Sequence, residues 1–534
     1  MKRYISSLIL SLLVPLALPG QEQDAGFIKA LNNITPGVFK SQLGFLSSDY
    51  MEGRKAGEKG EKMSSEYIAG QLQLYGVAPG GDSAGMNEAD DPLTVNGRTY
   101  FQNFSLIRTL PGEKMEMTLV TREGETTLKT FLDNNIDFSI RYPGRSLEIE
   151  APVVFAGYGF HSEKLNYNDF DKLDVKGKFV VRISGSPGFA KDKLTPSELV
   201  SASREAESTA RKLGAVGIIE IYPDQPAVGF QSARRTMNSS MKEQRPYPSP
   251  VTGNYRLPEN TGADAFLRIY VNATTGDELL KGTGTSLSEY IAQSSGSDSG
   301  RLPVVKNLSV TVKTDVRNEV IRVRNVIGII EGRIKDQFIV LGAHYDHMGA
   351  IDGYVWNGAD DNGSGTVGVM TIAKAIKETG IIPEKSIIIA LWTAEEEGLL
   401  GSRYFVRTLP FPKSRILLNM NFDMISRYVA DETPNKVVIT YSDNYPVFRT
   451  ITENNLRKYN IDLDPGFQPS ANPPGGSDHR SFVEAGIPVF RIKPGHREEY
   501  HTPFDEATTV DWDIMEKIVK ISFANVWELA NTEW

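Results

Sequence analysis

The sequence predicts an α/β fold: a mostly parallel mixed sheet with helices on both faces, interrupted by an inserted β-rich domain. Three observations predict it. Apolar runs without alternation, such as SIIIALWTA at 386–394, read as strands buried on both faces. From Arg322 onward such runs alternate with helical patterns such as GSGTVGVMTIAKAIKETG at 363–380, which implies parallel strands joined by helices. Between 148 and 314 the texture differs. VVFAGYG, VKGKFVVRISG and GAVGIIEIY are short β-branched runs set apart by glycine and aspartate turns.

Taken in order, the chain opens on MKRYISSLILSLLVPLALPGQEQ, with Lys2 and Arg3 ahead of the apolar stretch Ile5 to Leu18 and a small-residue site at Gly20–Gln21. That is the pattern of a signal peptide, expected over 1–20 and shorter than the ~20 residues that span a bilayer. No cysteine follows to carry a lipid, so an exported chain, periplasmic or extracellular and with no membrane anchor, is expected. Residues 25–147 open the main domain. Met63, Tyr67, Ile68, Leu72 and Leu74 lie near helical spacing, stopped by Gly76 and Pro79, and a polar loop and strand-like runs follow. The insertion is set at 148–314. It holds one helical pattern, SASREAESTARKLGA, and ends in the Ser/Gly-rich stretch Ser294 to Gly300 and the strand-like Asn307 to Lys313. The main domain resumes over 315–534 with RNVIGIIEG, QFIVLGAHY, SIIIALWTA, ILLNMNFDMI and IPVFRIK, and closes on an amphipathic helix from about Asp511 to Asn531.

Composition narrows the chemistry. The 534 residues carry a net charge of −9, with no basic footprint for nucleic acid. The absence of cysteine excludes disulfides, thiolate zinc sites, iron–sulfur clusters and cysteine nucleophiles. Any metal site must use His, Asp and Glu. In open α/β sheets ligands bind beyond the carboxyl ends of the strands. There the sequence places His344-Tyr345-Asp346-His347, Glu395-Glu396-Glu397, Asp423 and Tyr500-His501, with GADDNGSG ahead of a helix. Taken singly, these are a chance HxD, a solvated turn and a helix-capping cluster. Together they gather carboxylates that repel one another unless a divalent cation neutralises them, and imidazole with carboxylate suits zinc.

The motifs HYDH, NGADDNGSG, TAEEEGLLGS, NFDMIS, GGSDHRSF and YHTPFDE, in that order, together with LSSDYMEGR near the start, resemble the co-catalytic di-zinc aminopeptidase family. Its relatives include glutamate carboxypeptidase II, the transferrin receptor and the glutaminyl cyclases, and the insertion resembles a protease-associated domain. The resemblance implies two Zn²⁺ ions. His344 and Asp423 would hold one, Glu396 and His501 the other, and Asp361 would bridge both. It further implies Asp346 as the partner that orients the His344 imidazole, Glu395 as general base and Tyr500 as a donor to the substrate oxyanion. Tyr500 also reads as an aromatic packed beside a ligand. The triple glutamate leaves Glu396 and Glu397 as another base-and-ligand register, and the following Gly-Leu favours Glu395 and Glu396. His347 and His479 are read as outside the ligand set, and His161 and His496 as structural or surface residues; Asp360 reads equally as a backbone support or a helix cap. Two zinc ions about 3.5–4 Å apart need a shared anion between them, and zinc lowers the pKa of bound water from 15.7 towards ~7, within reach of a carboxylate base.

The expected activity is hydrolysis of the N-terminal bond of a peptide with a free amine. A carboxypeptidase or dipeptidase on the same metals is the alternative. A metal-free receptor-like binder would lack ligands that are present here, and a single-zinc cyclase would lack the His344-Tyr345-Asp346 motif. The insertion reads equally as a lid over the site or as a spacer, and the sequence sets no oligomeric state.

Overall fold

The computed structural model describes residues 19–85, 92–141, 143–171, 173–224, 254–260, 266–296, 304–428, 433–495 and 497–534. The expected leader, apart from its last two residues, and His496 lie outside the described residues. The chain divides into two compact units, one ending at Phe104 and resuming at Val323, the other Ser105–Arg322.

In the first unit the apolar runs become strands. β1 is the 323–330 end of Leu308–Ile330, followed by β2 (Ile334–His344), β3 (Lys385–Trp392), β4 (Ile416–Asn421), β5 (Lys436–Ser442), β6 (Asp464–Ser470) and β7 (Val489–Lys493). They lie in the order β6-β5-β7-β4-β2-β3-β1. β3, β2, β4 and β7 are mutually parallel, β1 is antiparallel to β3, and β5 is antiparallel to β7 and parallel to β6. Every residue of β3 is buried. Ile387, Ile389 and Leu391 enter one apolar cluster, while Ile388, Ala390 and Trp392 enter another with Phe405 and Phe482. Both faces are covered, so the run needs no polar alternation.

The helices of this unit are α1 (Pro19–Asn33), α2 (Pro36–Leu46), α3 (Lys59–Leu74), α4 (Gly365–Glu378), α5 (Leu400–Arg407), α6 (Val447–Lys458), α7 (His479–Glu484) and α8 (Trp512–Asn531). α1 to α4, α6 and α8 supply the larger cluster; α5 and α7 cover the other face. α8 is the amphipathic run expected at the end of the chain. Asp511 caps it by accepting from the amides of Asp513 and Ile514. Among the described residues no helix is long and apolar enough to cross a membrane.

One acid is buried beneath β2. Glu61 of α3 is inaccessible to solvent and accepts a hydrogen bond from the Tyr345 hydroxyl at 2.5 Å. Burial pushes its carboxyl up to about 7, against the pull of Tyr345, Thr393 and Arg324. A pKa raised in the folded state favours folding most below about 4.5, and that contribution is lost as pH rises through about 7. Glu61→Gln should abolish this loss, gaining about 3 kcal/mol over the native chain at alkaline pH. Thermal unfolding of both proteins at acid and alkaline pH checks it, and parallel pH profiles would refute it.

The second unit holds its own sheet. The 308–322 end of Leu308–Ile330 is antiparallel to Leu147–Phe155, which is parallel to Phe179–Ile183, then Gly217–Tyr222 and Leu267–Asn272; Phe138–Arg141 closes the far edge antiparallel. The sequence reading set its boundaries at 147/148 and 314/315. The compact unit starts earlier because Met117, Leu119, Phe138 and Ile140 pack with Phe155, Phe179 and Ile219 in a single core.

Candidate metal centre

Four parallel strands deliver their ends to one edge. His344 is the last residue of β2, Glu395 and Glu396 follow β3, Asp423 follows β4, and Tyr500 and His501 come after β7. Asp361 lies in the irregular turn Ala359–Ser364 that leads into α4, with a cis bond to Asn362. Ala394, Met424 and His501 have positive φ of 55°, 57° and 56°, a conformation costly for residues with a Cβ and one that gathers at functional sites.

Asp361 stands between two imidazoles. Its Oδ1 is 3.4 Å from His344 Nε2, and its Oδ2 is 3.0 Å from His501 Nε2. His344 Nε2 also lies 3.8 Å from Asp423 Oδ1, and His501 Nε2 lies 3.4 Å from Glu396 Oε1. Two donors bound at about 2.0–2.2 Å to a tetrahedral zinc stand roughly 3.3–3.6 Å apart, so these separations fit donors that share ions. Glu395 Oε2 is 3.9 Å from His344 Nε2. Two groups of donor atoms are close enough to hold an ion, His344 with Asp361 and Asp423, and His347 with Asp361 and Glu396. His347, which the sequence reading set outside the ligand set, is buried with Nδ1 2.8 Å from Glu396 Oε1. His479 is engaged elsewhere, its Nε2 lying 3.1 Å from the Pro474 carbonyl, and burial lowers its pKa to about 4. His161 lies in the second unit near Glu205.

The electrostatics call for positive charge. Burial disfavours the His344 imidazolium, yet Glu395, Asp346, Asp361 and Asp423 outweigh it and raise its pKa well above the ordinary value. Burial likewise opposes the charge on His501, while Glu396 and Asp361 raise its pKa to about 10. Asp361 is held below the usual carboxylate range: burial and Glu396 push it up, but hydrogen bonds from His344 and His501 win. Burial pushes Glu395 well up; His344 pulls it back, and Glu396, Asp478 and Asp423 reinforce the rise. So many acids in one buried cluster are compatible only with cations among them.

The supporting contacts include residues the sequence reading missed. Asp346 meets His344 Nδ1 through its main-chain carbonyl at 3.2 Å, whereas its carboxylate oxygen is 3.7 Å away. The carboxylate instead accepts from the amides of Glu395 and Glu396 at 3.1 and 3.4 Å. Asp505 accepts from the amides of Asp360 and Asp361, both at 2.9 Å, and pairs with Arg427. Asn362 donates to the Phe422 carbonyl and accepts from the Met424 amide, tying the Asp361 turn to the Asp423 loop. Asp360 accepts from the amide and hydroxyl of Ser426, a role beyond helix capping. Arg54 is buried and donates to the carbonyls of Tyr345 at 2.7 Å, Leu46 and Asn357 at 2.6 Å and Gly358 at 2.9 Å. Asp505 lies four residues beyond His501, inside a motif already singled out. Arg54 ends LSSDYMEGR, but its acceptors are main-chain atoms and leave no trace in the sequence.

The centre opens into a cavity of about 600 Å³, lined also by Leu399, Arg403, Met424, Arg491, Lys493 and Tyr500. Tyr500 stacks on the His501 ring at 3.8 Å. Burial and the nearby carboxylates of Asp361 and Glu396 raise its pKa well above the ordinary value, so its hydroxyl keeps its proton.

Residues 325–526 match the model of Peptidase family M28. The chain is 32% identical over 201 residues to leucine aminopeptidase 2 of Arthroderma otae, a match covering 37% of this chain and 39% of that protein. It is 28% identical over 439 residues to a glutamate carboxypeptidase 2 homolog of Caenorhabditis elegans, covering 71% of this chain and 56% of the relative. These matches therefore span between about two fifths and a little over half of the relatives' lengths. The fold is that of an aminopeptidase from Aneurinibacillus sp. strain AM-1, with a TM-score of 0.57 at 15% identity over 95% of this chain and 97% of that one. The match runs through the strands and turns that gather these imidazoles and carboxylates, and it is this region of the chain that is similar to Peptidase family M28.

Proposed function

We propose that the chain is an exported, zinc-dependent aminopeptidase acting on peptides with a free N-terminus. The observation that carries the reading is the division of Asp361, whose two oxygens face different imidazoles at 3.4 and 3.0 Å. His344, Asp423 and Asp361 would hold one zinc; Glu396, His501 and Asp361 the other, with His347 against Glu396. Bound there, the pair would polarise a peptide carbonyl and lower the pKa of water from 15.7 towards about 7. Glu395, outside both ligand groups, takes a proton from the attacking water and delivers it to the leaving amine. The Tyr500 hydroxyl donates to the oxyanion as the carbonyl carbon becomes tetrahedral. Asp346, Asp505 and Asn362 hold the loops from which these groups project. The leader over 1–20 supports export, and the second unit is read as the protease-associated-type insertion.

Native mass spectrometry should count two zinc ions per chain. Chelation should abolish hydrolysis of aminoacyl anilides, and N-acetylation of the same substrates should block it. A count of one or none would overturn the paired-metal reading, and equal cleavage of acetylated substrates would overturn the aminopeptidase reading.

A further inference from the structure

We propose that His347 is a further metal ligand, an imidazole that joins Asp361, Glu396 and His501 around the second ion. This deepens the reading above and rests on its metal pair. The turn beyond β2 then feeds both ions, with His344 on one and His347 on the other. Main-chain contacts fix where the ring lies. The His347 amide donates to the Arg54 carbonyl at 3.1 Å, and the Arg54 guanidinium donates to the Gly358 carbonyl at 2.9 Å. Gly358 has a φ of 54°, and a Cβ built on it would meet Cγ and Cδ2 of His347 at 2.5 Å. The ring is therefore packed on the Gly358 main chain, three residues ahead of Asp361.

The ring is buried, yet among the described residues neither Nδ1 nor Nε2 forms a hydrogen bond. Nδ1 lies 2.8 Å from Glu396 Oε1, but the pair is out of hydrogen-bond geometry, and that oxygen is also left without a hydrogen bond. A neutral imidazole carries one N–H and one lone pair, and leaving them unmet in the interior is costly. A cation that takes a lone pair from the nitrogen and another from the oxygen offsets part of that cost. The donor atoms of His347, Asp361 and Glu396 all lie within 4.8 Å of one another. His501 Nε2 reaches the same two carboxylates at 3.0 and 3.4 Å. An imidazole centroid stands roughly 3.2 Å from a zinc bound at about 2.0–2.1 Å, so the His347 and His501 rings, 6.0 Å apart, can share one ion. The two ions are then held unequally. Four protein groups surround the second, against His344, Asp361 and Asp423 at the first. Zinc also accepts a fifth ligand, so the fuller shell still admits water.

Protein labelled with nitrogen-15 histidine and loaded with cadmium-113 tests this without any substrate. An imidazole nitrogen bonded to the metal shows a direct cadmium–nitrogen coupling, and three of the six histidines should show it. His347→Phe, which keeps a ring against Gly358 but offers no lone pair, should remove one coupling and leave two. Coupling at only two imidazoles of the native protein would overturn the proposal and leave the metal pair standing; coupling at none would overturn both. Three couplings that all survive in the variant would overturn the assignment to His347. The native count decides even if the variant fails to fold. Chelator competition on the zinc-loaded protein is the second measure. The tighter zinc should weaken by more than about 100-fold in His347→Phe, past the range of a group that only orients a ligand. Native affinity in the variant, or an equal loss of both ions, would overturn the proposal whichever peptides are cleaved.

Discussion

Glu395→Gln is expected to keep two zinc ions per chain and to lower kcat by about 10²–10⁴-fold. The change is nearly isosteric, and the Glu395 amide stays bonded to Asp346, so the backbone of the neighbouring Glu396, proposed as a ligand, should not move. What disappears is the ability to take and return a proton. KM should change far less than kcat, because the group acts in the transition state and not in ground-state binding. Metal counting beside steady-state kinetics checks both halves. A variant with normal kcat would remove Glu395 from the base role. One with fewer metals would move it into the ligand set and reopen the alternative register, in which Glu396 is the base and Glu397 the ligand.

The second large effect concerns Arg54, which touches no substrate. Its guanidinium donates to four main-chain carbonyls, two of them at Asn357 and Gly358 ahead of the Asp361 turn and one at Tyr345 beside His344. Burial lowers its pKa to about 10, and Asp505 and Asp346 oppose that fall, so it remains charged at neutral pH. Arg54→Met should leave these carbonyls without their donor. Unsatisfied buried groups cost roughly 1–3 kcal/mol each, which relaxation reduces to a total of about 3–5 kcal/mol. Zinc affinity should fall about 10–100-fold, the usual range for groups that orient ligands. Arg54→Lys should rescue little, since one ammonium cannot reproduce a planar fork aimed at four acceptors. Thermal unfolding and chelator competition read the two effects separately. Native zinc affinity in Arg54→Met would show that the loops hold their positions without the clamp.

The strands and the residues that converge at their ends were legible because their signals are local. A run such as Ile387 to Leu391 states its burial in its own composition, and β3 is buried throughout. His344 ends a strand, Asp361 precedes a helix, Glu396 and Asp423 follow strands closely and His501 lies in the loop after β7, and parallel topology carries such positions to one edge. Three things were not legible. Main-chain acceptors have no side-chain signature, which hid the four carbonyls that Arg54 meets and the Asp346 carbonyl that meets His344. His347 could not be placed against Glu396, because its direction depends on the turn after β2. The first unit boundary was set too late because Phe101–Glu123 reads like the strands before the insertion, yet Met117 and Leu119 pack in the second core.

Arg54 precedes the long second unit, and three of the four carbonyls it braces follow that unit. Ribosomes therefore complete the clamp early and most of the parts it grips late, with His501 translated after every other proposed ligand. A fragment that stops short of His501 lacks part of the proposed centre, however much of the clamp it already holds.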